Sequence, residues 1–159
     1  MIIFVAAVCL FFFLKSRADP DLWGHLTFGQ TICETRAIPR VDTYSYTAYG
    51  CPWINHEWLS EAVFYTVFKY TKDTGLVIFK FSIALLITLL IYKAVRPRTD
   101  SVILFMLLMI APLAAITRGF AIRPQIFTNL FLAIAIFVID RLESGSNRRW
   151  FFIFPPLFL

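Results

Sequence analysis

Residues 76–95, 101–117 and 124–140 are three nearly unbroken apolar stretches, and they decide most of what this chain can become. Each approaches or reaches the roughly 17–25 residues that a helix needs to cross about 30 Å of hydrocarbon. In lipid the backbone must satisfy its own polar groups, so uninterrupted apolar runs of this kind are read as helices. Lys80 lies close enough to an end to snorkel, and Pro112 is tolerable inside a membrane helix. Composition points the same way: 59% of residues are hydrophobic, 18 are Phe and only 16% are charged, unlike a soluble domain. The expected fold class is all-α: a polytopic integral membrane helical protein.

The termini extend the pattern. Residues 1–14 are apolar and would span about 21 Å at 1.5 Å per residue, short of a full crossing. They lack the basic start and small-residue cleavage site of a secretory signal. The expectation is a partial first transmembrane helix, with 150–159 as the start of a truncated last one, so the chain reads as an N-terminal fragment.

Between 15 and 75 lies a polar segment with seven acidic residues against six Lys and Arg. Asp19 followed by Pro20 is a good N-cap and first-turn pair, predicting a helix over about 20–36. Leu22, Leu26, Gly29 and Cys33 recur on one face of it, and Asp21 and His25 sit one turn apart on a neighbouring face. Asn55 can cap a second helix over about 56–70. Its predicted apolar stripe is Leu59, Val63, Val67 and Tyr70, with Ala62 and Phe64 beside them and Glu61, Lys69 and Lys72 on other faces. Both helices are too polar to span and are expected to lie at the interface as amphipathic helices. Residues 43–50 read as an irregular loop.

The net charge of +5 does not indicate nucleic acid, because the basic residues flank the apolar runs. Lys93, Arg96 and Arg98 form one short basic loop, and Arg141, Arg148 and Arg149 another. Alternating spans put these loops on one side, which the positive-inside rule makes cytoplasmic. Residues 15–75 then form a long extracytoplasmic loop, although Lys15, Arg17 and the 118–124 hairpin arginines count against that orientation. Cys9, Cys33 and Cys51 show no metal-binding spacing, and Cys33 and Cys51 would pair only in an oxidising compartment.

The candidates for chemistry concentrate in two clusters, Asp19-Pro20-Asp21-Leu22-Trp23-Gly24-His25-Leu26 and Pro52-Trp53-Ile54-Asn55-His56-Glu57-Trp58. Asp19 has a capping role available, which leaves Asp21 as a spare carboxylate for general-base work or for a divalent cation such as Mg²⁺ or Mn²⁺. His25, His56 and Glu57 are candidate substrate contacts; an HExxH zinc motif is absent. Trp23, Trp53 and Trp58 suit either an interfacial belt or a sugar platform. Arg118 and Arg123 either snorkel to headgroups or hold a phosphate.

These motifs, with Ile38-Pro39-Arg40-Val41-Asp42-Thr43-Tyr44-Ser45-Tyr46-Thr47, Asn55-His56-Glu57-Trp58-Leu59-Ser60-Glu61, Arg123-Pro124-Gln125-Ile126-Phe127 and Pro155-Pro156-Leu157-Phe158-Leu159, resemble bacterial multi-span proteins of the GT-C glycosyltransferase class. Protein mannosyltransferases and aminoarabinose transferases are relatives. Gly24 stands where relatives often have a second Trp, and Cys51 where Arg or Lys is common.

The resemblance implies a bacterial inner-membrane enzyme that transfers a sugar from a polyprenyl-phosphate donor to a lipid, glycan or protein acceptor outside the cytoplasm. It makes Asp21 the base or metal-organising carboxylate, with Asp19 as its substitute. His56 and Glu57 become acceptor or donor contacts, and Arg123 the partner of the leaving phosphate. A fragment alone would be inactive. The alternative is a non-catalytic membrane protein, either a lipid-carrier scaffold or a transporter component. Charge-poor spans weigh against transport.

Overall fold

A computed structural model describes residues 2–13, 19–117, 119–145 and 148–153. It is all-helical, with α1 Ile2–Phe13, α2 Leu22–Thr35, α3 Trp58–Val95, α4 Val102–Thr117 and α5 Gln125–Glu143. Short 3₁₀ turns follow at Arg96–Arg98 and Arg148–Ile153. Among the described residues there is no strand, only an isolated antiparallel bridge between Val41 and Pro52. The chain divides into two compact units, one of residues 18–79 with 122–124, the other of residues 1–17, 80–121 and 125–159.

In the first unit α2 starts at Leu22, two residues later than its sequence signals suggest. The Asp19 carboxylate accepts from the Asp21 amide at 3.0 Å, and the Asp19 carbonyl accepts from Leu22 N–H at 3.1 Å. Asp19 therefore closes an Asx-type turn ahead of the helix, and Asp21 occupies the cap position without a capping side-chain bond. At the other end Arg36 adopts φ 55° and donates its N–H to Ile32 C=O, stopping the helix.

Leu22, Leu26, Gly29 and Ile32 are the buried face of α2, while Cys33 is exposed. Cys33 and Cys51 are both free thiols. Residues 40–53 form a loop closed by Trp53 N–H to Arg40 C=O and Asp42 N–H to Cys51 C=O, each 2.9 Å. Its rings rest on α2, with Phe28 4.7 Å from Tyr44 and 5.1 Å from Trp53 between centroids.

Helix α3 joins what the sequence separates into 56–70 and 76–95, but its two parts meet at a break. Lys72 has φ 56° and ψ −153°, backbone that glycine tolerates and lysine does not. Glycine at 72 is accordingly expected to give a more stable protein than alanine at 72 by about 1 kcal/mol, reversing their usual helix order. Paired thermal melts of Lys72→Gly and Lys72→Ala test this; alanine ahead would mean an unstrained position.

The inward face of the first part of α3 also differs from expectation. Phe64 is buried as the broad stripe implies, but Glu61 is buried with it, whereas Leu59 and Tyr70 of the predicted stripe are exposed.

The second unit packs its apolar helices around Ile83, Ala84, Ile87, Met109, Leu113 and Val138. Phe13 meets Phe120 at 4.6 Å between ring centroids. Arg98 binds Asp140 at 2.7 Å and Glu143 at 3.0 Å, which holds the end of α3 beside the end of α5. Among the described residues two helical stretches, Trp58–Arg98 and Gln125–Glu143, are long and apolar enough to cross a membrane, and Val102–Thr117 is apolar but shorter.

Candidate functional site

In the first unit Asp19, Asp21, His25, Glu57, Glu61 and Arg123 gather near the start of α2 and the start of α3. The close approach depends on Gly29, one turn after His25 on α2. A Cβ there would lie 2.8 Å from Tyr65 Cβ and closer still to the Glu61 carbonyl. Glycine lets the α2 backbone settle on α3 at Glu61, and that contact carries His25 onto the same carboxylate.

His25 Nδ1 lies 3.2 Å from Glu61 Oε1 and 3.8 Å from Glu57 Oε2. The other Glu61 oxygen accepts from Asn55 Nδ2 at 2.6 Å, and Asn55 Oδ1 accepts from the Glu57 amide at 2.9 Å. Asn55 thus closes an Asx-type turn two residues ahead of the Glu57 cap position of α3, while fixing a buried carboxylate with its amide. Hydrogen bonding to Glu61 raises the His25 pKa above its ordinary value, against the opposing effect of burial.

Beside this cluster stands a second. Arg123, brought in from 104 residues away, donates from Nη2 to Asp19 Oδ1 at 2.6 Å and pairs with Asp21 Oδ2 at 2.7 Å. Its buried Nε approaches Asp19 Oδ2 at 2.5 Å as an ion-pair contact rather than an aligned hydrogen bond. The guanidinium holds the Asp19 carboxyl below the usual carboxylate range. Charge links the two clusters: Arg123 senses Glu57, and His25 senses Asp21.

The depressed Asp19 carboxyl has a stability consequence with a definite sign. Its contribution is complete above the unfolded value of about 3.9 and is lost as pH falls through the lower folded-state value. Wild type is expected to melt higher than Asp19→Asn at pH 6 and to approach it toward pH 2. A melting difference constant across that range would mean that Asp19 ionisation is not coupled to folding.

The two Asp candidates are therefore not equivalent. Asp19 is 13% exposed and committed to Arg123, whereas the Asp21 side chain is 61% exposed. Glu57 joins the histidine cluster, and His56 is exposed on the preceding turn, outside it. Arg118 lies outside the described residues, as do 154–159 at the end of the chain. Sequence reasoning overlooked Glu61 and the bridging role of Asn55. The Glu57/Glu61 spacing of one helical turn was the available signal.

A cleft of about 510 Å³ opens alongside, lined by Ile38, Pro39, Arg40, Trp53, Asn55 and Trp58 among others. Asn55 is common to the cleft and the carboxylate cluster. Two indole-bearing residues and a guanidinium beside an acidic cluster suit a polar ligand with one apolar face.

The chain was compared with protein-family models, curated proteins and solved structures, and none of the three gave a match.

Proposed function

We propose that this chain is part of a polytopic membrane glycosyltransferase that uses a polyprenyl-phosphate-linked sugar as donor. The observation that carries the reading is the meeting of Asp19, Asp21 and Arg123. It unites the acidic motif at the start of the polar segment with the arginine motif more than a hundred residues later. Membrane residence is supported by the two long apolar helices and by exposed apolar side chains on α4 and α5, including Val102, Ile103, Leu107 and Leu132. The Arg98 contacts with α5 support the alternating passage that would put 15–75 on the extracytoplasmic side of a bacterial inner membrane.

In this reading the exposed Asp21 carboxylate takes the proton of an acceptor hydroxyl. The hydroxyl oxygen bonds to the anomeric carbon as the carbon–oxygen bond to phosphate breaks. Arg123 stabilises the departing polyprenyl phosphate, while Asp19 holds the guanidinium in place. Asp21 does not fit as the holder of Mg²⁺ or Mn²⁺, because a guanidinium already sits 2.7 Å away. His56, on the turn before α3, faces solvent where an acceptor would arrive.

The test is turnover of labelled polyprenyl-phosphate sugars in lipid vesicles by the full-length transferase of which this chain would be part, wild type against Asp21→Asn. Loss in the variant supports the enzyme. Equal binding without turnover in both would instead favour the lipid-carrier scaffold.

A further inference from the structure

The network of His25, Glu57, Glu61 and Asn55 brings one imidazole nitrogen and two carboxylate oxygens together. On a tetrahedral ion with bonds of about 2.0–2.1 Å, neighbouring ligand atoms lie about 3.3 Å apart. His25 Nδ1 and Glu61 Oε1 are 3.2 Å apart, and Glu57 Oε2 is 3.8 Å from the same nitrogen. All three ligand atoms fall within 4.8 Å of one another. Glu57 is the one member with freedom to close the remaining gap, its side chain being 42% exposed against 3% for Glu61.

We propose that His25, Glu57 and Glu61 bind a divalent transition-metal ion of the zinc and manganese class, with Asn55 as the residue that orients the carboxylates. The donor set selects this class: one imidazole nitrogen with two carboxylate oxygens is borderline, between the all-oxygen sites of magnesium and calcium and the thiolate-rich sites of structural zinc. Three protein ligands leave a fourth position open, as in catalytic rather than structural sites. The second shell is already built, since Asn55 Nδ2 donates to the Glu61 oxygen that faces away from His25 and Asn55 Oδ1 fixes the Glu57 backbone.

Charge favours an ion as well. Asp19, Asp21, Glu57 and Glu61 are set against the Arg123 guanidinium, which is committed to the two aspartates, and against one imidazole. A divalent ion leaves less uncompensated negative charge than a proton on His25 would. Binding would exchange that proton for the metal. The inference goes beyond the transferase reading and does not depend on it, because occupancy is measured without turnover.

The experiment uses the full chain purified in detergent, stripped with chelator and titrated calorimetrically with Zn²⁺, with Co²⁺ as an optical probe. One equivalent of Zn²⁺ per chain is expected, with visible Co²⁺ bands of tetrahedral intensity. Glu57→Gln should weaken binding by at least about tenfold. It is the primary variant because it leaves the buried Glu61 and its partners in place; circular dichroism confirms its fold. His25→Gln should weaken binding further, while Glu34→Gln, an exposed carboxylate on α2, should bind as wild type does. No saturable uptake by wild type would reduce the cluster to an ion pair and overturn the proposal. Uptake unchanged in both Glu57→Gln and His25→Gln, or lost on Asp21→Asn but kept in Glu57→Gln, would overturn it by placing the ion elsewhere.

Discussion

Asp21→Asn is expected to lower sugar transfer by about 10²–10⁴-fold, the range that a positioned general base contributes, while leaving the fold intact. The amide keeps the shape of the carboxylate and its oxygen can still accept from Arg123, but it cannot take up a proton. The architecture does not depend on the charge at 21, because the buried side of the guanidinium is held by Asp19. Steady-state kinetics distinguish the base from a mere anchor. Loss of a base depresses kcat with KM little changed, whereas loss of a donor contact raises KM. Asp21→Glu should recover part of kcat, since a longer carboxylate can still accept the proton at poorer geometry. Full turnover in Asp21→Asn would remove Asp21 from the reaction.

The contrast with Asp19 sharpens the assignment. Asp19 meets the guanidinium through both of its oxygens and is 13% exposed, so it turns no oxygen to an incoming hydroxyl, whereas Asp21 meets it through Oδ2 and is 61% exposed. Asp19 acts as a positioning residue: its loss should disturb Arg123 and the start of α2 together, with a fall in stability that Asp21→Asn does not show.

What the sequence makes legible are the properties that live on one dimension. The apolar runs over 76–95, 101–117 and 124–140 announce helices whatever surrounds them, and the Leu22, Leu26, Gly29 spacing marks the inward face of α2. Local chemistry also places the turn before α2, though not its register. Asp19 has two uses for its carboxylate in that segment, and the bond to the Asp21 amide displaces the helix start to Leu22.

The orientation of α3 is where local reasoning fails, for a physical reason. A glutamate beside Leu59, Val63 and Val67 is expected to face water, and only a partner from elsewhere in the chain reverses that preference. His25 and Asn55 supply the partners, and a glycine on another helix supplies the space. The pairing of Arg123 with Asp19 is likewise invisible in any window of sequence, since 104 positions separate them.

Gly29→Ala carries the second large expected effect. The added methyl would meet backbone at Glu61, 2.7 Å from its carbonyl carbon, and backbone cannot rotate aside as a flexible side chain can. Alanine would otherwise favour the helix by about 1 kcal/mol, so an isolated α2 should gain helicity. The whole protein should nevertheless lose about 2–3 kcal/mol through overpacking, read as a lower melting temperature. Separation of the two helices would also draw His25 away from Glu61, so the variant should lose the raised His25 pKa, followed by NMR titration of the imidazole. Gly24→Ala is the matched control: a Cβ there meets nothing closer than Phe28 at 4.0 Å, so the same substitution on the same helix should be neutral or stabilising. Equal melting temperatures for the two variants would show that α2 does not rest on Glu61. A lower temperature for Gly29→Ala alone would tie the position of His25 to the absence of one methyl group.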